Sequence, residues 1–206
     1  MSLPNPVNYH IYRGQTLERP ALYDYILAGN GVFKMANGDH FHAAIPLGYT
    51  GQIAGLPNFN IPPLTLFPPK IPTKWLYAVL DHARKASGDS AHSRVLVGPV
   101  EQMYHFHWLE NCWRVAIPRQ QATAGRVGYR GGDEATIVLD LHSHHEMNSF
   151  FSTVDDDDEQ GLRFYGVIGR IYSEPEIRLR VGVYGDWLDL DPLVLFEALG
   201  PFREAE

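Results

Sequence analysis

The sequence has a single cysteine, no excess of basic residues and no long apolar run. Cys112 alone rules out an intramolecular disulfide framework and a cysteine-based zinc ribbon, so histidine and carboxylate groups would have to hold any metal. The 17 Lys and Arg face 24 Asp and Glu, and this formal charge of −7 argues against nucleic-acid partners, which need a basic face. No apolar stretch approaches the roughly 20 residues that span a bilayer, and no charged start precedes an apolar segment. We therefore expect a cytoplasmic protein without a membrane partner.

Prolines divide the sequence into parts. Six of the 15 prolines fall between Pro57 and Pro72, where they forbid regular helix and favour an extended connector. Before them, the short runs "LYDYILA", "VFKMA" and "HFHAAIPL" are separated by turn residues, which is typical of hairpins. We therefore predict a small N-terminal antiparallel β segment at residues 1–60, a proline-rich connector at 61–73 and a larger domain at 74–206.

The region after the connector combines helical and strand patterns. "TKWLYAVLDHARKASG" places a threonine cap before apolar residues with helical spacing and predicts a helix that stops near Gly88. "EQMYHFHWL" and "CWRVAIP", on either side of Glu110 and Asn111, predict a β-hairpin. Three further strands are predicted at "ATIVLDLHSH", "RFYGVIGRIY" and "IRLRVGVYG", and a short terminal helix at "DPLVLFEALG". The predicted fold class is α/β in the α+β sense, with a mixed sheet flanked by helices.

One stretch, "LDLHSHHEMNSFFSTVDDDDEQG", has the residue types of a metal site. Because alternate residues of a strand point to the same face, His142 and His144 project together at the end of an apolar run. Asp155 supplies a third ligand if the chain turns back into a helix that Ser152 caps. Two histidines and one carboxylate leave a fourth position for water, which is typical of catalytic zinc sites, although iron, cobalt and manganese also suit these ligands.

Each part of this pattern also has an ordinary explanation. The HxH spacing recurs twice, where exposure or packing explains it: at His40 with His42, and at His105 with His107. Ser152 and Asp155 form a common helix-start signal, and the acidic run Asp156–Glu159 is typical of a solvated helix N-terminus. These explanations leave the joint spacing of the histidines, the serine and the aspartate unexplained, so the pattern favours a metal site.

The joint spacing resembles the signature of the JAMM metalloproteases, also called the JAB or MPN-plus family. His142, Ser143 and His144 are followed after seven residues by Ser152 and after two more by Asp155. The family has the same arrangement, His-Ser/Thr-His and then Ser-x-x-Asp. The resemblance implies that His142, His144 and Asp155 bind zinc and that Ser152 helps to stabilise the oxyanion of a tetrahedral intermediate.

The same family has an upstream glutamate at the start of a strand, which acts as general base on the metal-activated water. Glu101 stands in that context, in "GPVEQMYHFHW". The sequence departs from the family at Tyr104, where a glycine is usual, and in the extra segment "DSAHSRVLVG" before the glutamate. Glu134 and Glu146 are rivals, but a Gly-rich turn and a loop favour a solvated side chain for each. We therefore predict Glu101 and Ser152 as the catalytic residues.

Within this family the chain is most similar to a component of the bacterial PRTRC gene system. The similarity is carried by "YILAGNGVF", "FFSTVDDDDEQGLRFYGVIGRI" and "IRLRVGVYG". That system also encodes a ThiF-like protein that resembles ubiquitin-activating (E1-like) enzymes. The resemblance therefore implies a JAB/MPN-like fold, a ThiF/E1-like partner and a protein or peptide substrate related to ubiquitin-like or sulfur-carrier proteins.

The function predicted from the sequence is a zinc-dependent metallopeptidase or isopeptidase that hydrolyses an amide bond. Two alternatives stay open: a non-catalytic MPN-type scaffold that binds a partner protein, and a metal-dependent hydrolase of a small amide. The complete ligand set favours an enzyme, because degenerate members of the family usually lose ligands. Cys112 opens an apolar strand, so we do not expect it to act as a nucleophile.

Overall fold

The computed structural model describes residues 6–48, 51–86, 101–118, 120–123, 126–129 and 136–205, with the backbone alone at 120–123 and 126–129. These residues form two mixed sheets with few helices, which confirms the predicted α+β class. The chain divides into two compact units. Unit 1 comprises Met1–Pro68, Asp158–Leu162 and Val181–Leu188, and unit 2 comprises Pro69–Asp157, Arg163–Arg180 and Asp189–Glu206.

The first sheet has five strands in the order β1-β2-β3-β4-β5: β1 Val7–Ile11, β2 Tyr23–Ala28, β3 Gly31–Asn37, β4 Phe41–Pro46 and β5 Leu64–Leu66. The predicted hairpins are present, since β3 pairs antiparallel with both β2 and β4, and β5 pairs antiparallel with β4. However, β1 pairs parallel with β2, so the segment predicted as antiparallel is a mixed sheet. Hairpins carry a local turn signal, whereas a parallel partner arrives through a longer connection that has none.

Strand β2 shows how the first sheet buries one face. Its residues alternate between half-buried and buried, as expected for a strand with one covered face. Buried apolar residues of β2, β3 and β4 form a cluster with Phe59 from the proline-rich stretch: Ile26, Ala28, Met35, Ala44 and Phe59. Phe59 is fixed through its backbone, because its N–H donates to Asn30 Oδ1 at 2.8 Å and its carbonyl accepts from Asn30 Nδ2 at 3.2 Å.

The second sheet contains seven strands, six of which follow the order β13-β12-β11-β10-β6-β7 while β14 pairs with β12. Their bounds are β6 Met103–Leu109, β7 Cys112–Ala116, β10 Ile137–Ser143, β11 Leu162–Gly169, β12 Glu176–Val183, β13 Trp187–Leu190 and β14 Arg203–Glu204; β8 Gln120–Thr123 and β9 Arg126–Tyr129 form a separate two-stranded sheet. Strand β10 lies inside the sheet, parallel to β11 and antiparallel to β6, and all its residues are buried. This burial explains its almost continuous apolar run.

The predicted hairpin and first helix are both present. Glu110 and Asn111, between β6 and β7, have φ angles of 51° and 57°, as a two-residue type I′ turn requires. Helix α1, Lys74–Ala86, follows the predicted cap Thr73 and buries one apolar face: Leu76, Val79, Leu80 and Ala83. The second helix, α2, spans Thr153–Asp158. Neither of these described helices is long and apolar enough to cross a membrane.

The predicted terminal helix is wrong. Only Pro192–Val194 form a helical turn, a 3₁₀ turn that Asp191 caps. The backbone beyond it pairs with the end of the proline-rich stretch, because Ile71 N–H donates to Leu195 O at 2.8 Å and Glu197 N–H donates to Ile71 O at 3.0 Å. This pairing uses backbone groups that a continuing helix would need.

Candidate metal centre

His142 and His144 lie together at the end of β10. Both side chains are buried, and their Nε2 atoms face each other at 3.1 Å. Strand geometry produces this pairing, since residues two apart share a face and His144 keeps the strand direction by donating its N–H to Ile168 O at 2.8 Å. The spacing read from the sequence therefore corresponds to a real convergence of two imidazoles.

The chain turns sharply after these histidines. His145 has a φ of 49°, and the loop then lies directly on the end of β11, where Met147 O accepts from Arg170 N–H at 2.8 Å. A Cβ at Gly169 would lie 2.4–2.5 Å from backbone atoms of 147–149, so only glycine allows this close approach. The loop that follows His144 is thus held against the sheet by backbone contacts.

Asp155 reaches the histidines from the first turn of α2. Its Oδ2 accepts from Ser152 N–H at 2.6 Å and from Ser152 Oγ at 2.7 Å, while Asp155 N–H donates to Ser152 Oγ at 3.3 Å. This reciprocal pairing is a capping box. It occupies one carboxylate oxygen and leaves Oδ1 3.5 Å from His142 Nε2. Asp155 therefore serves the helix start and the metal site together: Oδ2 caps the helix, and Oδ1 faces His142.

Two of the three ligand separations are close to those around a tetrahedral zinc ion. Ligands at about 2.0–2.1 Å from such an ion lie about 3.3–3.4 Å apart. The histidine pair at 3.1 Å and the His142–Asp155 pair at 3.5 Å lie on either side of that value, and the three ligand atoms all lie within 4.8 Å of one another. His142, His144 and Asp155 therefore fit a zinc ion by both distance and donor type.

Both imidazoles are held in the neutral form that ligates metal. Burial lowers the pKa of His142 to about 4, against a smaller upward effect of the Asp155 charge. Burial also lowers the pKa of His144. The Nδ1 of His144 lies 3.3 Å from Asn148 O, which only accepts, so Nδ1 carries the proton and Nε2 offers a lone pair to the centre.

Glu101 lies beside this cluster, although it is distant in sequence. Its Oε1 is 3.9 Å from His144 Nε2. The backbone explains the position, because Ser143 N–H donates to Gln102 O at 3.0 Å and Ser143 Oγ accepts from Gln102 N–H at 3.1 Å. Burial, and then the charge of Asp155, raise the pKa of the Glu101 carboxyl above its usual range. The serine between the two histidines thus fixes the chain beside Glu101.

A buried arginine supports α2 from β12, and this contact was not predicted from the sequence. The Arg180 guanidinium donates to Asp156 Oδ1 at 2.6 Å and lies over the Phe151 ring at 3.9 Å from its centre. Its charge also lowers the pKa of His142. Asp156 is therefore an anchor of α2 and not only a solvated residue of the acidic run. An arginine within a strand of alternating charge and apolar residues was the available signal.

His105 and His107 lie outside the metal cluster. His105 Nε2 is 3.2 Å from Asp140 Oδ1, and the Arg163 guanidinium donates to the other oxygen of this carboxylate at 2.6 Å. His107 Nδ1 is 3.0 Å from Thr136 Oγ1. Both histidines are therefore engaged in polar contacts along β6.

The remaining candidates of unit 2 differ in exposure and in whether the structure describes them. Glu146 is exposed, Cys112 is an exposed free thiol, and Glu134 lies outside the described residues. His42, in unit 1, packs its ring edge against Phe67. Among the residues that the structure describes, one group of three potential ligands lies close enough to hold an ion: His142, His144 and Asp155. No protein-family model matches the chain, and no curated protein matches it.

Proposed function

We propose that the protein is a zinc-dependent metallopeptidase or isopeptidase of the JAMM type. The observation that carries this proposal is the convergence of His142, His144 and Asp155, with the Glu101 carboxylate 3.9 Å from one of the histidines. Two neutral imidazoles and one carboxylate are the donor set of a catalytic zinc site with an open position. A carboxylate with a raised pKa beside such a site is suited to general base catalysis.

His142, His144 and Asp155 would hold the zinc ion, which would supply the Lewis-acid chemistry that activates water and polarises a carbonyl. Glu101 takes the proton of the attacking water and passes it to the amine that leaves. Ser152 stabilises the oxyanion when its hydroxyl turns from Asp155 Oδ2, its acceptor at 2.7 Å, toward the substrate. Asn148 O and the capping box hold the ligands in orientation.

The substrate part of the proposal rests on the sequence resemblance. It names a protein or peptide tail, such as that of a ubiquitin-like or sulfur-carrier protein, and a ThiF/E1-like partner of the same gene system. The chain would then be a protein A component of a PRTRC system with a JAB/MPN-like domain, acting in the cytoplasm.

Glu101→Gln tests the proposal most sharply. The amide keeps the shape of the side chain but does not accept a proton, so we expect unchanged zinc content and hydrolysis reduced by about 10²–10⁴-fold. Hydrolysis is measured on ubiquitin-aminomethylcoumarin and on Gly-Gly peptides with an isopeptide bond. Glu146→Gln is the matched control, because that glutamate follows the histidines but is exposed.

Two results would contradict the proposal. Full hydrolysis by Glu101→Gln would remove this residue from the role of base. A wild type that contains zinc but cleaves neither substrate class, while binding a ThiF-like protein, would favour the scaffold alternative.

A further inference from the structure

A cavity of about 310 Å³ is lined in part by the loop that follows the histidines. The loop contributes Asn148, Ser149 and Phe150, and neighbouring strand ends contribute charged side chains: Arg170, Glu176, Arg178 and Arg203. All of these residues belong to unit 2. The volume is at the lower end of the range for small-molecule sites, and it suits a side chain or a chain end better than a folded partner.

The lining of this cavity is basic in an acidic protein. Three guanidinium groups face one carboxylate, although the whole chain has a formal charge of −7. Arg170 uses its Nε to donate to Asn148 Oδ1 at 2.8 Å, and one Arg203 terminal nitrogen lies 3.5 Å from both Glu176 Oε2 and Glu174 Oε2. A guanidinium has five N–H donors, so these three contacts leave donors of both arginines for a further acceptor.

Ser149 adds an independent sign of a binding site. The residue is only 3% exposed, and its hydroxyl has no hydrogen-bond partner among the described residues. Its backbone N–H donates to Glu176 Oε1 at 2.8 Å, which fixes the residue at the cavity wall. A buried hydroxyl without a partner is unusual in a folded protein, and here a ligand oxygen in the cavity would satisfy it.

The loop joins this cavity to the metal centre. Asn148 O faces His144 Nδ1 at 3.3 Å, and the Phe150 ring lies 4.7 Å from the His144 ring, so two cavity residues also contact a proposed zinc ligand. We infer that the cavity is a substrate subsite that binds a carboxylate next to the scissile amide, through Ser149, Arg170, Arg178 and Arg203. This inference rests on the proposed peptidase function, and it adds the substrate class: acidic peptides or free chain ends.

A carboxylate suits the cavity better than a phosphate. The planar guanidinium fork matches both oxygens of a carboxylate. Glu176 is only 6% exposed and belongs to the lining, so it repels a doubly charged phosphate more strongly than a singly charged carboxylate. The cavity residues would therefore select the substrate, whereas Glu101 would transfer the proton.

The test is a titration of the isotope-labelled full chain, followed through the backbone amides of Asn148 and Ser149. N-acetylglycine should shift both signals to saturation, whereas the neutral N-acetylglycinamide should not. Arg178→Gln should weaken N-acetylglycine binding about tenfold or more, the loss expected for a charged hydrogen-bonding group. Ser149→Ala should weaken it less and serves if the arginine variant misfolds. Arg114→Gln is the matched control, because this exposed arginine pairs with Glu110 in its own hairpin.

The outcomes separate this inference from the proposed function. Equal shifts with both probes, binding of inorganic phosphate alone, or unchanged affinity in the Arg178 and Ser149 variants would overturn the subsite. The binding arm needs neither zinc nor hydrolysis, so a selective carboxylate response in a protein that cleaves nothing would support the subsite and count against the peptidase. Hydrolysis with a rate that depends neither on acidic residues in the substrate nor on Arg178→Gln would support the peptidase and count against the subsite.

Discussion

Two buried polar clusters, one in each unit, differ in how their charges are satisfied. In unit 1 the Lys34 ammonium, in a side chain only 2% exposed, donates to Asp186 Oδ2 at 2.9 Å and to Tyr184 O at 2.5 Å, and it lies 4.2 Å from the centre of the Tyr23 ring. In unit 2 the lone pair of His144 Nε2 and the Asp155 carboxylate are both directed at His142 Nε2. The first cluster surrounds a cation with groups that accept its hydrogen bonds. The second cluster contains only groups that can bind a cation.

This difference separates a structural cluster from a binding site. A buried charge is retained when opposite charges and carbonyl groups surround it, as they surround Lys34. Converging electron-pair donors repel one another unless a proton or a metal ion lies between them. Burial that keeps both histidines neutral favours the metal over the proton. We therefore predict that the Lys34 cluster, in which the charges are satisfied, contributes to stability. The histidine cluster, in which they are not, should bind a ligand.

Lys34→Met should produce the largest change in stability. Methionine fills much of the same space but gives no donor to Tyr184 O or Asp186, and loss of one partner of a buried pair costs about 3–5 kcal/mol. Because the Asp186 side chain is 41% exposed, we expect about 2–3 kcal/mol in the free energy of unfolding, a 30- to 150-fold change in the folding equilibrium. Urea denaturation measures it.

The control for this variant is Lys70→Met. Lys70 also donates to a backbone carbonyl, that of Leu193 at 2.5 Å, but it is exposed, so we expect less than about 0.5 kcal/mol. Both variants should keep wild-type zinc content. Loss of zinc in Lys34→Met at full folding, or equal stability losses in the two variants, would remove the distinction between the clusters.

Gly169→Ala should weaken zinc binding by about 10- to 100-fold, the range for groups that orient metal ligands. The new Cβ would meet backbone atoms of 147–149 at 2.4–2.5 Å and must push away the loop whose Asn148 carbonyl orients His144. Chelator competition measures the affinity. Gly14→Ala is the control for zinc affinity, because its added Cβ meets no atom within 4 Å and the strain from its φ of 90° stays local to Gly14. Equal zinc affinity in wild type and Gly169→Ala would show that this loop does not orient the centre.

Ser152→Ala should have the smallest effect on the fold. It removes the hydroxyl of the capping box, which costs about 1 kcal/mol, but Asp155 keeps its 2.6 Å bond from the Ser152 N–H. We expect zinc affinity to change less than about threefold, while hydrolysis falls by about 10²–10³-fold if the hydroxyl stabilises the oxyanion. Ser173→Ala, at an exposed serine, is the control for stability. A large loss of zinc would instead assign Ser152 to holding the ligand.

Features encoded by short-range geometry were predictable from the sequence. The two-residue period of a strand placed His142 beside His144, and turn residues located the hairpins at Glu110 with Asn111 and in the first sheet. The cap signal at Ser152 located the start of α2 and, with it, Asp155. In each case the residues that interact are close in sequence, so local preferences decide the outcome.

Features that depend on distant residues were not predictable. The Arg180 contact with Asp156 spans 24 residues and joins strand β12 to helix α2. Parallel pairing of β1 with β2 has no turn signal. The terminal segment has helical periodicity, but pairing of its backbone with Ile71 overrides that preference. Tertiary hydrogen bonds decided each of these cases.

The most direct test of the metal centre is zinc content per chain, by elemental analysis of protein purified without chelator. The variants are Asp155→Ala and its matched control Asp157→Ala, which removes an exposed aspartate of the same run. We predict about one zinc in the wild type and in Asp157→Ala, and little in Asp155→Ala. A wild type that stays free of metal when zinc is supplied, or an Asp155→Ala protein with the full zinc content, would contradict the account.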